Sequence, residues 1–358
     1  MSGDAATRER ARALVLAHGW NAMAYQLLNP GFTRWFAREG DALVGYVPWG
    51  RTRVVAGAPV CDGGRVADVV RAFAADARAH RERVLWFGAG ARLEALHAGD
   101  PSHAFLPLGA QPWWDARDWP ATVGGRPRLR AQFARARNKG VAVAEWPAAR
   151  AHESPALRAV LDAWLATRGL PSLHFLVEPD TLGTLDDRRV FVAARDGAVL
   201  AFLVATPIPA RRAWLIEQWP RRPEAPNGTV DLLIDAAMRA LGATAAPHVT
   251  LGLAPLSVRA PVAPLPDGRT LAPWLRLALR WGRAHGTRFF DFDGLDAFKA
   301  KFAPAHWEPL FAIVDAPRVG VRHLWAIAGA FGRRSPLALG ALGLARAARA
   351  ELARLGAR

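Results

Sequence analysis

The sequence predicts an α/β (α+β) fold made of two similar units in tandem, each a mixed, largely antiparallel sheet with helices packed on it. Three observations carry this. The chain has 358 residues, too long for one ordinary core, and 51% of them are apolar. The expected elements run helix, three antiparallel strands, helix, strand, helix, strand, and the second half repeats that order without a clear sequence repeat. At the centre, Arg211 to Asp231 (RRAWLIEQWPRRPEAPNGTVD) passes from a strand through a proline-broken loop into a helix. Residues 1–118 are expected to form the first unit, 119–316 the second, and 317–358 a basic amphipathic helical tail.

In the first unit Ala5 to His18 reads as a helix. Phe32 to Phe36, Ala42 to Pro48 and Thr52 to Val60 read as strands joined by glycine-containing turns. Val66, Val69, Val70, Phe73 and Ala77 share one face of a helix from Val66 to His80. Arg83 to Phe87 is an apolar strand, Leu93 to Ala98 a short helix and Ala104 to Leu108 a further strand. Pro112 to Pro127, rich in Pro, Gly and Trp, reads as a linker.

The second unit opens on a basic helix, Leu129 to Lys139, with Arg130, Arg135, Arg137 and Lys139 outward; Gly140 stops it. Val141 to Trp146 is a strand. Ser154-Pro155 is an N-cap followed by proline at the first helical position, and the helix runs to Arg168. Arg189 to Ala194, Val199 to Thr206 and Arg212 to Glu217 form a meander with Asp196-Gly197 as its hairpin turn. Thr229 to Leu241 is a helix, Val249 to Leu253 a strand, Leu271 to His285 a helix and Thr287 to Phe292 a strand. Beyond Ala316 the chain turns Ala/Leu-rich with interspersed arginines. That pattern suits an interfacial anchor with snorkelling arginines and a helical hairpin packed on the second unit equally well.

Composition narrows the function. Lys+Arg number 47 against Asp+Glu 31, giving +16, with pI near 11.4. Such a surplus suits a polyanionic partner, nucleic acid or an anionic membrane surface. The dominance of Arg over Lys, with abundant Ala, fits a GC-rich coding habit equally. Cys61 is the single cysteine, so an intrachain disulfide and a thiolate metal site are excluded. The first residues carry charges of both signs and no apolar core of a signal peptide, and the default compartment is the cytosol. No Gly-x-Ser-x-Gly elbow, Walker loop or zinc motif is present, and His174, His248 and His306 lack metal-ligand spacing.

The central stretch points to an anion site. Pro220, Pro223 and Pro226 interrupt any regular element. Arg221 and Arg222 then stand beside a helix N-terminus, where backbone N–H groups and the helix dipole favour negative charge. GNAT-fold acyltransferases hold a pyrophosphate at this position with a glycine-rich loop. Three prolines, which donate no N–H, make acetyl-CoA a poor candidate here.

RRPEAPNGTVDLLI, TLGLAPLS from Thr250 to Ser257, and FFDFDGLDAFKAKFAPAHWEPLF from Phe289 to Phe311 occur in that order. With VFVAARDGAVLAFLVATP before them, they resemble the catalytic domain of bacterial phosphatidylglycerol lysyltransferases, the multiple peptide resistance factor family. The resemblance covers Arg128 to Val314 well and extends more loosely from Gly31. It implies two tandem GNAT-like units. It also implies transfer of an aminoacyl group from aminoacyl-tRNA to the glycerol headgroup of phosphatidylglycerol. The family's N-terminal transmembrane flippase has no counterpart in the sequence, so a stand-alone synthase part is expected, peripheral at the inner face of the membrane. Glu217 stands where the family often has Asp, and Pro220 where Arg is common, which leaves the transferred amino acid open.

The implied site holds a tRNA 3′ end, the α-ammonium and the lipid phosphate, and stabilises a tetrahedral oxyanion. Glu217, Arg221 and Arg222 are the expected catalytic residues: the arginines for phosphate or oxyanion, the carboxylate for the α-ammonium or a proton. Asn227 and Asp231 lie at the helix start, Asn227 as cap or ligand. Lys299 and Lys301 resemble the family's KxKF element; Leu295, Phe298 and Phe302 share a helical face that leaves both lysines free for phosphate or for solvent. Arg130 and Arg135 are expected to track tRNA or anionic lipid, with a plain solvated face as the rival. Donor and product are both esters, so no cofactor or metal is expected, with aminoacyl-tRNA and an anionic phospholipid surface as partners. A peptide or peptidoglycan-type acceptor, and a non-catalytic lipid- or RNA-binding protein, are the alternatives.

Overall fold

The computed structural model describes residues 2–167, 174–176, 178, 180–260, 262, 265–285 and 291–332. Its strands are β1 (Thr33–Phe36), β2 (Leu43–Trp49), β3 (Thr52–Ala56), β4 (Arg83–Ala89), β5 (Ala104–Asp115), β6 (Ala142–Trp146), β7 (Arg189–Arg195), β8 (Ala198–Ile208), β9 (Ala213–Gln218), β10 (His248–Thr250), β11 (Ala254–Pro255) and β12 (His306–Val314). Its helices in the first half are α1 (Ser2–His18), α2 (Val66–Ala79), α3 (Ala91–His97), α4 (Trp119–Gly124), α5 (Pro127–Asn138), α6 (Ala148–His152) and α7 (Pro155–Ala166). The second half adds α8 (Thr229–Gly242), α9 (Pro273–His285), α10 (Phe292–Ala300) and α11 (Val321–Gly332).

Among the described residues the strands join in one sheet, in the order β1-β2-β3-β4-β12-β5-β10-β9-β8-β7-β6, with β11 on β5. The two halves follow the same plan. β3 and β4 are parallel, joined by α2; β9 and β10 are parallel, joined by α8; the outer strands of both are antiparallel. These are two GNAT-like units in tandem. The centre of the sheet departs from chain order. β5 pairs with β10 of the later half, and β12, the last strand, lies between β4 and β5.

Most expected elements are present, and the differences have physical causes. β5 runs on to Asp115 because Trp113 and Trp114 are buried between the two halves. The stretch read as a linker therefore holds the end of a central strand and α4, whose Trp119 is buried in the second core. β3 stops at Ala56, where Gly57 takes a positive φ of 71°. The motif HWEPLFAIV, read only as a resemblance, is β12. Of the strand expected from Thr287, residues 286–290 lie outside the described residues, and Phe292 opens α10.

Both faces of the sheet are covered. α2 packs through Val66, Val69, Val70 and Phe73 on one face of the first half, while α1, α9 and α11 close the other through Val15, Leu275 and Ala326. α5 and α8 cover one face of the second half, α6 and α7 the other. α11 is the described part of the expected tail. Its His323, Ala326 and Ala330 are buried, so this part packs on the protein; residues 333–358 lie outside the described residues. Among the described residues no helix is long and apolar enough to cross a membrane.

Candidate functional site

Side chains alternate along β9. Trp214 and Ile216 face the core that α8 closes. Ala213 and Leu215 face the opposite side, against Ala22 and Trp113. Glu217 follows the second set. Its carboxylate accepts from Thr206 Oγ1 at 2.7 Å and pairs with Arg188 at 3.2 Å. Arg188 is fully enclosed, with Glu217 only 8% exposed. The guanidinium also donates to the carbonyls of Thr181 and Thr184 and lies over the Tyr25 ring at 5.0 Å. Tyr25 in turn donates to Asp187, which Arg12 of α1 grips through two bonds of 2.6 and 2.7 Å. Glu217 is thus the end of a buried polar chain running back to α1.

The proline-broken loop is pinned to β8. Phe202 N–H donates to Pro220 O at 3.0 Å, Arg222 N–H to Leu200 O at 2.8 Å, and Arg221 bridges Ala201. The Arg222 guanidinium donates to Val199 O at 3.1 Å and lies near Glu224, so it is partly spent on the loop itself. Arg221 is exposed and meets no carboxylate among the described residues. Trp219 turns the other way and stacks on Phe298 of α10 at 5.5 Å between ring centroids.

The N-cap of α8 is Gly228, not Asn227. Gly228 has φ 93°, and a Cβ there would sit 2.3 Å from Gln132 O of α5. Asn227 is exposed and makes no cap, because the glycine holds that position. Three residues on, Asp231 is buried, and its Oδ1 lies 2.5 Å from Lys301 Nζ. That Oδ1 has no aligned hydrogen bond, so the contact is a charge pair. Lys301 also lies over the rings of Phe298 and Phe302, at 4.2 and 5.0 Å.

Lys299 corrects the expected free helix face. It is 2% exposed and donates to Gly252 O at 2.9 Å and Leu253 O at 2.7 Å, where β10 ends. Burial pulls its pKa down to about 7, with nearby Asp296 opposing the shift. Burial arises because α10 packs Phe302 into the core and turns the 299 position toward the open carbonyls after β10.

The structure brings Asp231, Lys301 and Lys299 to one region, with Trp219 reaching it from the loop. The orientation of β9 directs Glu217 to the sheet face away from α8. Arg130 donates to Val123 O and Gly124 O, closing the end of α4. Arg135 reaches Gln132 Oε1 at 3.4 Å and stays exposed. Asp235, one turn after Asp231, accepts from Trp119, Arg137 and Arg239. Sequence reasoning did not find Arg188, Thr206, Trp219 or Asp235. A carboxylate one helical turn after Asp231 was the available signal for Asp235; for Arg188 no local signal exists. Among the described residues, His97, Asp100 and His103 hold ligand atoms within 4.8 Å of one another. The Asp100 carboxylate there is already engaged by Ser102 and His103, as in a capped turn.

A family model described as phosphatidylglycerol lysyltransferase, C-terminal, matches residues 12–314. Among solved structures, the C-terminal domain of a protein designated a lysylphosphatidylglycerol synthetase, from Agrobacterium fabrum, superposes with TM-score 0.76 at 24% identity, covering 92% of this chain and 98% of that one. L-PGS from Bacillus licheniformis gives TM-score 0.75 at 20% identity, covering 91% and 97%. A conserved protein of unknown function from Bacteroides thetaiotaomicron gives 0.57 at 15%, covering 86% and 96%. These likenesses show the shared fold. No curated protein matches the sequence significantly.

Proposed function

We propose that this chain, which belongs to the phosphatidylglycerol lysyltransferase C-terminal family, moves an aminoacyl group from aminoacyl-tRNA to phosphatidylglycerol or a related membrane lipid, at the cytoplasmic face of the membrane. The observation that carries the reading is the family match over 12–314, which contains Asp231, Lys299 and Lys301. The basic balance of +16 suits a polyanionic tRNA and an anionic membrane surface.

In the proposed reaction a glycerol hydroxyl of the lipid attacks the ester carbonyl of the donor. The new C–O bond forms, the bond to the tRNA ribose breaks, and the hydroxyl proton ends on the ribose oxygen. One ester replaces another, so the activated donor drives the step without a separate cofactor. Lys301 is the cation assigned to the oxyanion or lipid phosphate, and Asp231 orients it. Lys299 is a positioning residue that fixes α10 to the end of β10. Arg221 is assigned to a phosphate, and exposed Arg135 to tRNA backbone or anionic lipid. Glu217, engaged by Arg188 and Thr206 on the sheet face away from α8, is assigned a positioning role, with Asn227 and Arg222 at the edge of the loop.

The test is a transfer assay with total tRNA charged with labelled amino acids, the protein and vesicles containing phosphatidylglycerol. Label in the organic phase, abolished by RNase and by Lys301→Met, is the expected result; repeats with single amino acids then name the donor. Label absent from lipid for every amino acid, but present on an added peptide acceptor, overturns the lipid reading.

A further inference from the structure

We propose that α9 is the membrane-docking element of this protein, seating on an anionic phospholipid bilayer through Trp274, Leu277 and Trp281. The proposal rests on the lipid reading of the acceptor and says which surface meets the lipid. These three side chains are 44%, 69% and 65% exposed, an unusual state for large apolar residues on one helix. At 3.6 residues per turn they fall within an arc of about 60°. The opposite side is already occupied. Leu275 is 1% exposed and Leu279 packs beside it in the core of the first half. So α9 is apolar on two sides, one for the protein and one for something else.

The polar side chains identify that something. Arg276 and Arg280 are exposed, lie on the arc next to the apolar stripe, and pair with no carboxylate among the described residues. The sequence of α9, PWLRLALRWGRAH, contains no acidic residue at all. Tryptophans and a leucine on one arc with arginines beside them match the interface of an anionic bilayer. There indoles settle at headgroup depth and guanidiniums meet lipid phosphate. A protein partner of ordinary composition would not require a flank free of carboxylates.

The position fits the site. Arg283, on the last turn of α9, pairs with Asp293 of α10 at 2.7 Å and donates to Leu256 O at 2.9 Å. α10 carries Lys299 and Lys301 one to two turns later. Val258, two residues after Leu256, is itself 79% exposed. A bilayer under α9 would therefore present headgroups toward the end of the molecule where the two lysines lie.

The experiment is flotation of the whole protein with vesicles of equimolar phosphatidylglycerol and phosphatidylcholine, and with phosphatidylcholine alone. The triple variant Trp274→Ser, Leu277→Ser, Trp281→Ser should partition at least ~tenfold more weakly onto the mixed vesicles. Arg276→Glu with Arg280→Glu should lose the preference for the anionic vesicles. The single Leu277→Glu, at the most exposed position, repeats the test if the triple variant fails to fold. The triple variant should still transfer label to a water-soluble short-chain phosphatidylglycerol. Variants that bind vesicles as the wild type does overturn the docking role and leave the transfer reading standing. A wild type that labels a soluble peptide and floats with neither vesicle overturns both. Loss of a dimer in sedimentation, with vesicle binding unchanged, assigns the stripe to a second copy of the chain and overturns the proposal.

Discussion

Lys301 Nζ lies 2.5 Å from Asp231 Oδ1, joining the last turn-end of α10 to the first turn of α8. The ammonium also caps the Phe298 ring, on whose face Trp219 of the central loop stacks. The central stretch and the end of α10, far apart in sequence, thus meet around one charge pair, 37% exposed on the lysine side and 10% on the carboxylate side.

If this pair stabilises the oxyanion, Lys301→Met should lower kcat by about a hundredfold. Asp231→Asn should lower it less, because the cation remains. Single-turnover rates measure both, with melting curves showing that each variant is folded. Unchanged rates would remove the pair from the chemistry.

Lys299 should give stability a measurable slope with pH. Its folded pKa, about 7, lies below the ordinary 10.5, because burial disfavours the charged form. Between those values the unfolded chain binds more protons, so unfolding free energy rises with pH across the window. Below about 7 the full cost of the buried charge is present. Lys299→Met should flatten the slope in urea denaturation over this range.

Glu217→Ala should destabilise by about 3 kcal/mol, since it leaves the enclosed Arg188 cation without its carboxylate. Glu217→Leu combined with Arg188→Met should recover most of that loss. Urea midpoints for the two singles and the double give the coupling. A Glu217→Ala protein as stable as wild type and inactive would place the carboxylate in the chemistry itself.

Gly228→Ala should cost about 2 kcal/mol or more. The φ of 93° disfavours any Cβ, and the added atom would meet the Gln132 carbonyl at 2.3 Å. Thermal melts of the single variant measure it, and a melt unchanged from wild type would show that α5 can move aside freely.

His97 and His323 should set an acid limit. Burial lowers both to about 4, with His103 acting on the first and Arg322 on the second. Between that value and the ordinary 6.5 the unfolded chain takes up protons that the folded chain refuses. Stability therefore falls as pH drops through this window. Replacing both by Gln should shift the acid midpoint downward in a circular-dichroism titration.

Much of this was legible in the chain. The helical faces of α2 and α8, the Ser154 cap, the Asp196-Gly197 turn and the two strand-helix-strand crossovers follow from local spacing and backbone preference. The site was legible in part. The order of its motifs pointed to Asp231, Lys299 and Lys301, yet helical spacing alone left Lys299 in solvent. Its burial depends on Gly252 and Leu253, whose open carbonyls belong to the segment between β10 and β11, far away in sequence.

The sequence by itself determined the element types, the tandem plan and the chemistry available at the centre, because each rests on residues within a turn or a strand of one another. Tertiary structure alone decided the insertion of β12 between β4 and β5, the Arg188–Glu217 pair and the outward stripe on α9. Strand order is settled by the summed burial of both sheet faces. A charged side chain is enclosed or left in water according to partners many residues away. An apolar residue on α9 meets core or solvent according to which side of the helix the protein has already covered.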